Sequence, residues 1–174
     1  MENPVQEELE KLPKETLIEL IKMYSRNWHT CDGLWFSGVE GRYGTEKALE
    51  IDIDMWKVSS RLEALRIKEI LNIPEKGGLD AVLRTVNFMS WAAKCAYRIE
   101  KDGDAALLTV TACPPQEARI KSGKREFECR PTFEFGFQNV ANVIDPRVKV
   151  SCKYCAPGPR PAGGWCQWEF RMEE

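Results

Sequence analysis

The stretch that most restricts the fold runs from Thr45 to about Leu71. Ala48, Ile51, Met55, Val58, Leu62 and Leu65 recur at spacings of three and four residues, the repeat of one helix face and of a helix–helix seam. Thr45 suits the N-cap, and Pro74 stops the helix. The opposite side, with Asp52, Lys57, Arg61 and Arg66, reads as a solvated face. Such a seam serves internal packing, and it equally suits self-association into a homo-oligomer.

On either side of this helix the pattern is also helical. After a frayed lead-in over residues 1–12, a helix is expected to start at Pro13, with Leu17, Ile21, Tyr24 and Trp28 as its apolar stripe. The aromatic segment Trp28–Phe36 follows, and Gly33, Gly38, Gly41 and Gly44 bracket an expected turn region. Gly77-Gly78 opens a third helix with Leu79, Val82, Leu83, Val86 and Met89 on one side, reaching roughly Ala93.

The character changes near Lys94. Cys95–Lys101 and Ala105–Cys113 read as two strands of a hairpin about Asp102-Gly103. Short helices are expected over 116–121, closed by Gly123, and over 132–143, ended by Asp145-Pro146. Strands follow at 148–152 and 165–172, separated by the proline–glycine loop of residues 156–164. The expected class is α+β: three N-terminal helices, then a small antiparallel sheet with short helical insertions. Residues 1–93 form the helical part, and the cysteine-rich residues 94–174 pack on it as one domain.

Composition narrows the function. The 174 residues carry a net charge of −2, which argues against a nucleic-acid partner. No apolar run approaches the ~18 residues of a membrane span, and the acidic start MENPVQEELEKLP is unlike a secretion signal. The expectation is a soluble, cytoplasmic protein. Its seven cysteines, Cys31, Cys95, Cys113, Cys129, Cys152, Cys155 and Cys166, then stay reduced and are available to metal or to chemistry.

Cys31 and Cys95 read as core thiols. The other five sit at strand ends and turns. Along 148–152 the face of Val148 and Val150 also holds Cys152. Along 165–172 the face of Trp168, Phe170 and Met172 also holds Cys166. Two-residue alternation sends both sulfurs inward. Cys152-x2-Cys155 is the spacing by which two thiolates reach one tetrahedral metal. The expected metal ligands are Cys113, Cys129, Cys152, Cys155 and Cys166, and soft thiolates select zinc or an iron–sulfur cluster.

The motifs Cys113-Pro114-Pro115-Gln116-Glu117-Ala118-Arg119, Ile144-Asp145-Pro146-Arg147, Cys152-Lys153-Tyr154-Cys155 and Trp165-Cys166-Gln167-Trp168 resemble an uncharacterised family of cytosolic prokaryotic proteins, common in anaerobes. Asp32-Gly33-Leu34-Trp35-Phe36 fits the same family. More distantly, Cys113, Cys129, Pro146, Arg147 and Cys166 resemble the skeleton of L-2-amino-thiazoline-4-carboxylic acid hydrolase-like proteins, from which Cys152-x2-Cys155 departs. That similarity implies a hydrolase of a small cyclic amidine or thioether-type substrate. The helices-then-sheet order is similar to the 4-vinyl reductase-type ligand-binding domain.

Two functions compete. In the first, an enzyme acts on a small acidic, sulfur- or nitrogen-containing molecule. Cys113, Cys129 and Asp32 are then the catalytic candidates, and Arg119, Arg147 and Trp35 hold substrate. His29, the single histidine, reads as a helix-surface residue. In the second, the chain is a non-enzymatic metal or small-molecule module, with a structural zinc and an apolar pocket around Trp28, Trp35 and Phe36.

Overall fold

The computed structural model describes residues 4–174; the first three residues of the expected lead-in lie outside them. The rest of that lead-in is not frayed but helical, α1 (Pro4–Lys11), with Lys11 paired to Glu8 across one turn. Helix α2 (Lys14–Tyr43) and helix α3 (Thr45–Ile70) follow, joined only by Gly44. No helix among the described residues is long and apolar enough to cross a membrane.

The turn expected after Phe36 does not form, because α2 continues through it. A glycine in a helix interior costs about 0.5–1 kcal/mol relative to alanine, so Gly33, Gly38 and Gly41 weaken α2 without ending it. Tertiary contacts hold its second half: Phe36 is buried, and Glu40 accepts from Arg119 (2.9 Å) and Lys124 (2.6 Å). The chain reverses only at Gly44, where φ is 83° and ψ 166°, a region essentially restricted to glycine. The reversal brings Trp28 of α2 edge-on to Trp56 of α3, with ring centres 6.1 Å apart.

Helix α3 buries a different face from the expected seam. Its inward residues are Ala48, Asp52, Trp56, Ser60, Ala64 and Ile67, a stripe stepped mostly by four. Val58 is 60% exposed, and Leu62 and Leu65 are exposed as well. Asp52, expected in solvent, is 4% exposed. The reason lies in the partner, helix α6 (Arg130–Ile144). Small residues on α3 and Gly136 on α6 let the two backbones approach. A Cβ at Gly136 would stand 3.8 Å from the Trp56 ring. Polar links then fix the pair: Asn139 donates to Lys57 O (2.8 Å) and Ser60 Oγ (3.0 Å), and Thr132 donates to Asp52 (3.0 Å).

Helix α4 (Gly78–Asn87) buries Leu79, Val82, Leu83 and Val86. It ends six residues before the expected Ala93, and the turns that follow still bury Met89, Trp91 and Ala92. Strands β1 (Ala96–Asp102) and β2 (Ala105–Ala112) form the expected hairpin. Helix α5 (Pro114–Lys121), α6, β3 (Val148–Cys155) and β4 (Cys166–Met172) complete the chain. The sheet is antiparallel in the order β1-β2-β4-β3. One face, with Leu108, Val110, Trp168, Phe170 and Val148, is buried; Phe137 of α6 packs on Trp168 and Phe170 at 5.3 and 5.4 Å. The class is α+β, with helices first and the sheet after them.

The last two strands are neighbours. Cys152 lies opposite Trp168, and Cys155 lies opposite Cys166. A bulge between Cys152 and Tyr154 inserts one residue and reverses the alternation. Cys155 therefore points inward, where strict parity would have put it outside.

Gly44→Ala should destabilise the fold by about 1–3 kcal/mol in urea unfolding. Gly33→Ala and Gly41→Ala, at helical positions where an added Cβ meets nothing, should each stabilise by about 0.5–1 kcal/mol. Loss of stability in both of the latter would contradict a continuous α2.

Candidate functional site

A cavity of about 480 Å³ lies between α2, α3, α5 and the start of α6. Helix periodicity supplies its walls. On α2, Trp28, Asp32 and Phe36 fall one turn apart and face inward, as do Asp52 and Trp56 on α3. Trp91, Phe127 and Phe133 close the sides.

Two carboxyls enter this apolar space. Asp52 accepts a hydrogen bond from the Thr132 hydroxyl and another from the Trp56 side chain. Burial nevertheless pushes it up to about 6. Asp32 is also raised to about 6, by burial first and then by the charge of Asp52. Among the described residues no donor or cation pairs with the Asp32 carboxyl.

Below the cavity is a chamber of about 30 Å³ lined by Cys95, Cys113, Cys129, Cys155 and Cys166 together with His29. Cys113 and Cys129 line both spaces. The Cys129 and Cys155 sulfurs are 3.6 Å apart. Cys129 accepts from Gln116 Nε2 at 3.4 Å. Burial pushes Cys95 and Cys113 up to about 12. Cys129 is raised by its contact with Cys155 and by burial. Cys155 gains from the Cys129 hydrogen bond but is raised more by Cys166 and burial. Cys95, Cys113, Cys129 and Cys155 are thus favoured as neutral thiols at neutral pH.

His29 lies partly buried, not on the surface: its Nε2 is 3.1 Å from Trp91 O and 3.9 Å from the Cys95 sulfur. A carbonyl only accepts, so Nε2 carries the proton and cannot take one from Cys95. Burial lowers the pKa of His29, which favours the neutral ring.

Gln116, 1% exposed, holds the frame. Its amide donates to Phe127 O (2.9 Å) and accepts from Phe127 N (3.3 Å), which pins the segment leading to Cys129. Arg160 adds a second tie by gripping Glu126 and stacking over Trp165.

Several expected site residues stand elsewhere or are already engaged. Arg119 lines the cavity, but its guanidinium is clasped by Glu40 and stacks over Phe127 at 5.0 Å. Glu40 is pulled down to about 2, chiefly by Arg119. The expected carboxylate clamp already holds a carboxylate of its own chain. Arg147 does not line the cavity; it pairs with buried Asp145 at 2.8 Å, beside the start of β3. Trp35 is 44% exposed, turned outward because it sits one residue from inward Phe36. Cys152 is half-buried and absent from the chamber wall, while Cys31, expected in the core, is exposed.

Cys95, His29, Asp52 and Gln116 were not legible as site residues. The one sequence signal was Asp32, a carboxylate inside an aromatic run and costly to bury alone. Among the described residues, no three His, Cys, Asp or Glu side chains stand ready-grouped to hold a metal ion.

Residues 10–172 match the family of unknown function DUF6125. Neither the curated proteins nor the solved structures give a match.

Ionised Asp32 opposes folding, because its folded pKa lies above the ordinary 3.8. The stability its neutral form contributes is complete below that value and is lost as pH rises through about 6. Asp32→Asn should therefore be more stable than wild type near neutral pH, by on the order of 2 kcal/mol. The gain should vanish toward about pH 4. Denaturant melts at both pH values check this, and a variant less stable at neutral pH would refute it.

Proposed function

Since the chain belongs to the DUF6125 family, whose activity is not assigned, we propose from its own chemistry that it binds a small molecule in the cavity between α2, α3, α5 and α6, above a floor of buried thiols. The supporting observation is the cavity itself. Its volume of about 480 Å³ falls within the roughly 300–1,000 Å³ of ligand sites, and its apolar walls with a few convergent polar groups are typical of them. Thermal-shift screening of a small-molecule library, followed by mapping of hits, is the direct test. Ligands that raise the melting temperature should lose that effect in Trp56→Ala and keep it in Trp35→Ala. A library without a single stabilising member would count against the reading, as would hits indifferent to Trp56.

A second reading concerns the floor. Neutral thiols are poor nucleophiles, and His29 is not placed to activate Cys95, so thiol hydrolysis without a metal is disfavoured. A soft metal, zinc or an iron–sulfur cluster, would deprotonate the cysteines itself. The Cys129–Cys155 spacing of 3.6 Å favours this, since tetrahedral zinc with bonds near 2.3 Å separates its sulfurs by roughly 3.8 Å. Cys113 and Cys166 are the neighbours that side-chain rotation would bring in. All four thiolates would close a zinc site, which would then be structural, whereas a metal held by three of them would keep a position for a ligand and could supply Lewis-acid chemistry.

Metal analysis and absorption spectra of anaerobically purified protein test this reading. Cys129→Ser and Cys155→Ser should lose metal, whereas Cys152→Ser should retain it. Equal retention in all three would exclude the chamber as the metal site.

A further inference from the structure

The cavity has a charge pattern that names its ligand more narrowly. Asp32 and Asp52 approach it from two different helices. The groups that donate to Asp52, the Thr132 hydroxyl and the Trp56 indole, are neutral; they orient its carboxyl without cancelling its charge. Asp32 receives nothing from the described residues.

The cations around the cavity do not neutralise these acids. Arg119 and Lys124 are both held by Glu40, at 2.9 and 2.6 Å. Arg26 and Lys94 belong to the exposed surface at the rim. Burial lowers the pKa of His29 and so favours the neutral ring, against the opposing pull of its bond to the Trp91 carbonyl. The inner end therefore presents two carboxyls and no cation, among the side chains of Trp28, Trp56 and Trp91. Two acids facing an apolar space are costly unless a positive group joins them, and aromatic faces add cation–π attraction for that same group.

We propose that the cavity selects a protonated amine on an apolar body, with Asp32 as the ion-pair partner of the ammonium and Asp52 as its second acceptor. This rests on the cavity being a ligand site, as read above. It reverses the charge of the ligand that the basic stretch around Arg119 suggested. It also gives the unfavourable placement of Asp32 a purpose, because the strain of an unpaired carboxyl is released when the ammonium enters. Binding draws both carboxyls into the ionised form, so affinity for an amine rises with pH through the range in which Asp32 and Asp52 titrate, near 6.

The test uses three probes of one shape, phenethylamine, 2-phenylethanol and 3-phenylpropionate, titrated calorimetrically into the full-length protein. The amine should bind at least about tenfold more tightly than the alcohol near neutral pH, the equivalent of one good ion pair. The carboxylate should be weakest. Asp32→Asn should bring the amine down to the alcohol while leaving the alcohol unchanged, which shows the cavity intact. Asp32→Glu should restore part of the preference. The amine advantage should shrink toward about pH 5.

An alcohol or carboxylate that binds as well as the amine would overturn the proposal and leave the ligand cavity standing. So would a preference for the amine that survives Asp32→Asn. If none of the three binds, this proposal falls, while the cavity reading stands or falls separately on the library screen.

Discussion

Helix α6 is held from two sides, and the arrangement of the molecule follows from that. Toward the sheet it offers Phe137, which sits between Trp168 and Phe170. Toward α3 it offers Gly136, Thr132 and Asn139, small or hydrogen-bonding side chains that replace grease with proximity. Because both faces are committed, the first turn of α6 has a fixed position. That turn follows Cys129 and carries Thr132 and Phe133, so the floor of the cavity and one of its walls are set by the same packing. Aromatic burial of this kind contributes more than area alone, as edge-on pairs add roughly 0.5–1.5 kcal/mol each.

How much could be read from the chain alone depended on which force decided each element. Strands, hairpin and proline loop obey local rules of alternation and turn chemistry and formed close to where those rules put them, except that β3 runs on through a bulge past Cys152 to Cys155. Helix α3 shows the opposite. Counting apolar residues selects Ala48, Ile51, Met55, Val58, Leu62 and Leu65, but only Ala48 of these lies on the buried stripe, which goes on through Asp52, Trp56, Ser60 and Ala64. A helix pressed closely against another prefers small and hydrogen-bonding residues at the contact, a preference invisible to hydrophobicity. The glycines of α2 misled for a related reason. Their local cost is small, and the clasp of Glu40 by Arg119, seventy-nine positions away, outweighs it.

The site was legible in part. The cysteines were identified as a set, and Cys113, Cys129, Cys155 and Cys166 line one chamber. Cys95 joins them only because β1 runs beside β2, a long-range fact. Arg119 and Arg147 were expected to receive a carboxylate, and each does, from Glu40 and Asp145 of the same chain. A cationic side chain near a cavity signals an anionic ligand only when its own protein leaves it unpaired. The group left unpaired is instead Asp32, half-buried at the cavity wall, and an unpaired acid facing a cavity says more about a ligand than a satisfied one.

The bulge in β3 makes strand length a determinant of chemistry. Up to Cys152 the strand alternates in step with Val148, and one extra residue puts Cys155 out of that step and opposite Cys166. The insertion acts as a frameshift for side chains, changing which of two solvents, water or the protein interior, each later residue meets. A relative shorter by one residue here could keep every cysteine and yet lose a sulfur from the chamber. Among such proteins, the number of residues between Val148 and the proline loop would divide those that share this thiol chamber from those that share only its composition.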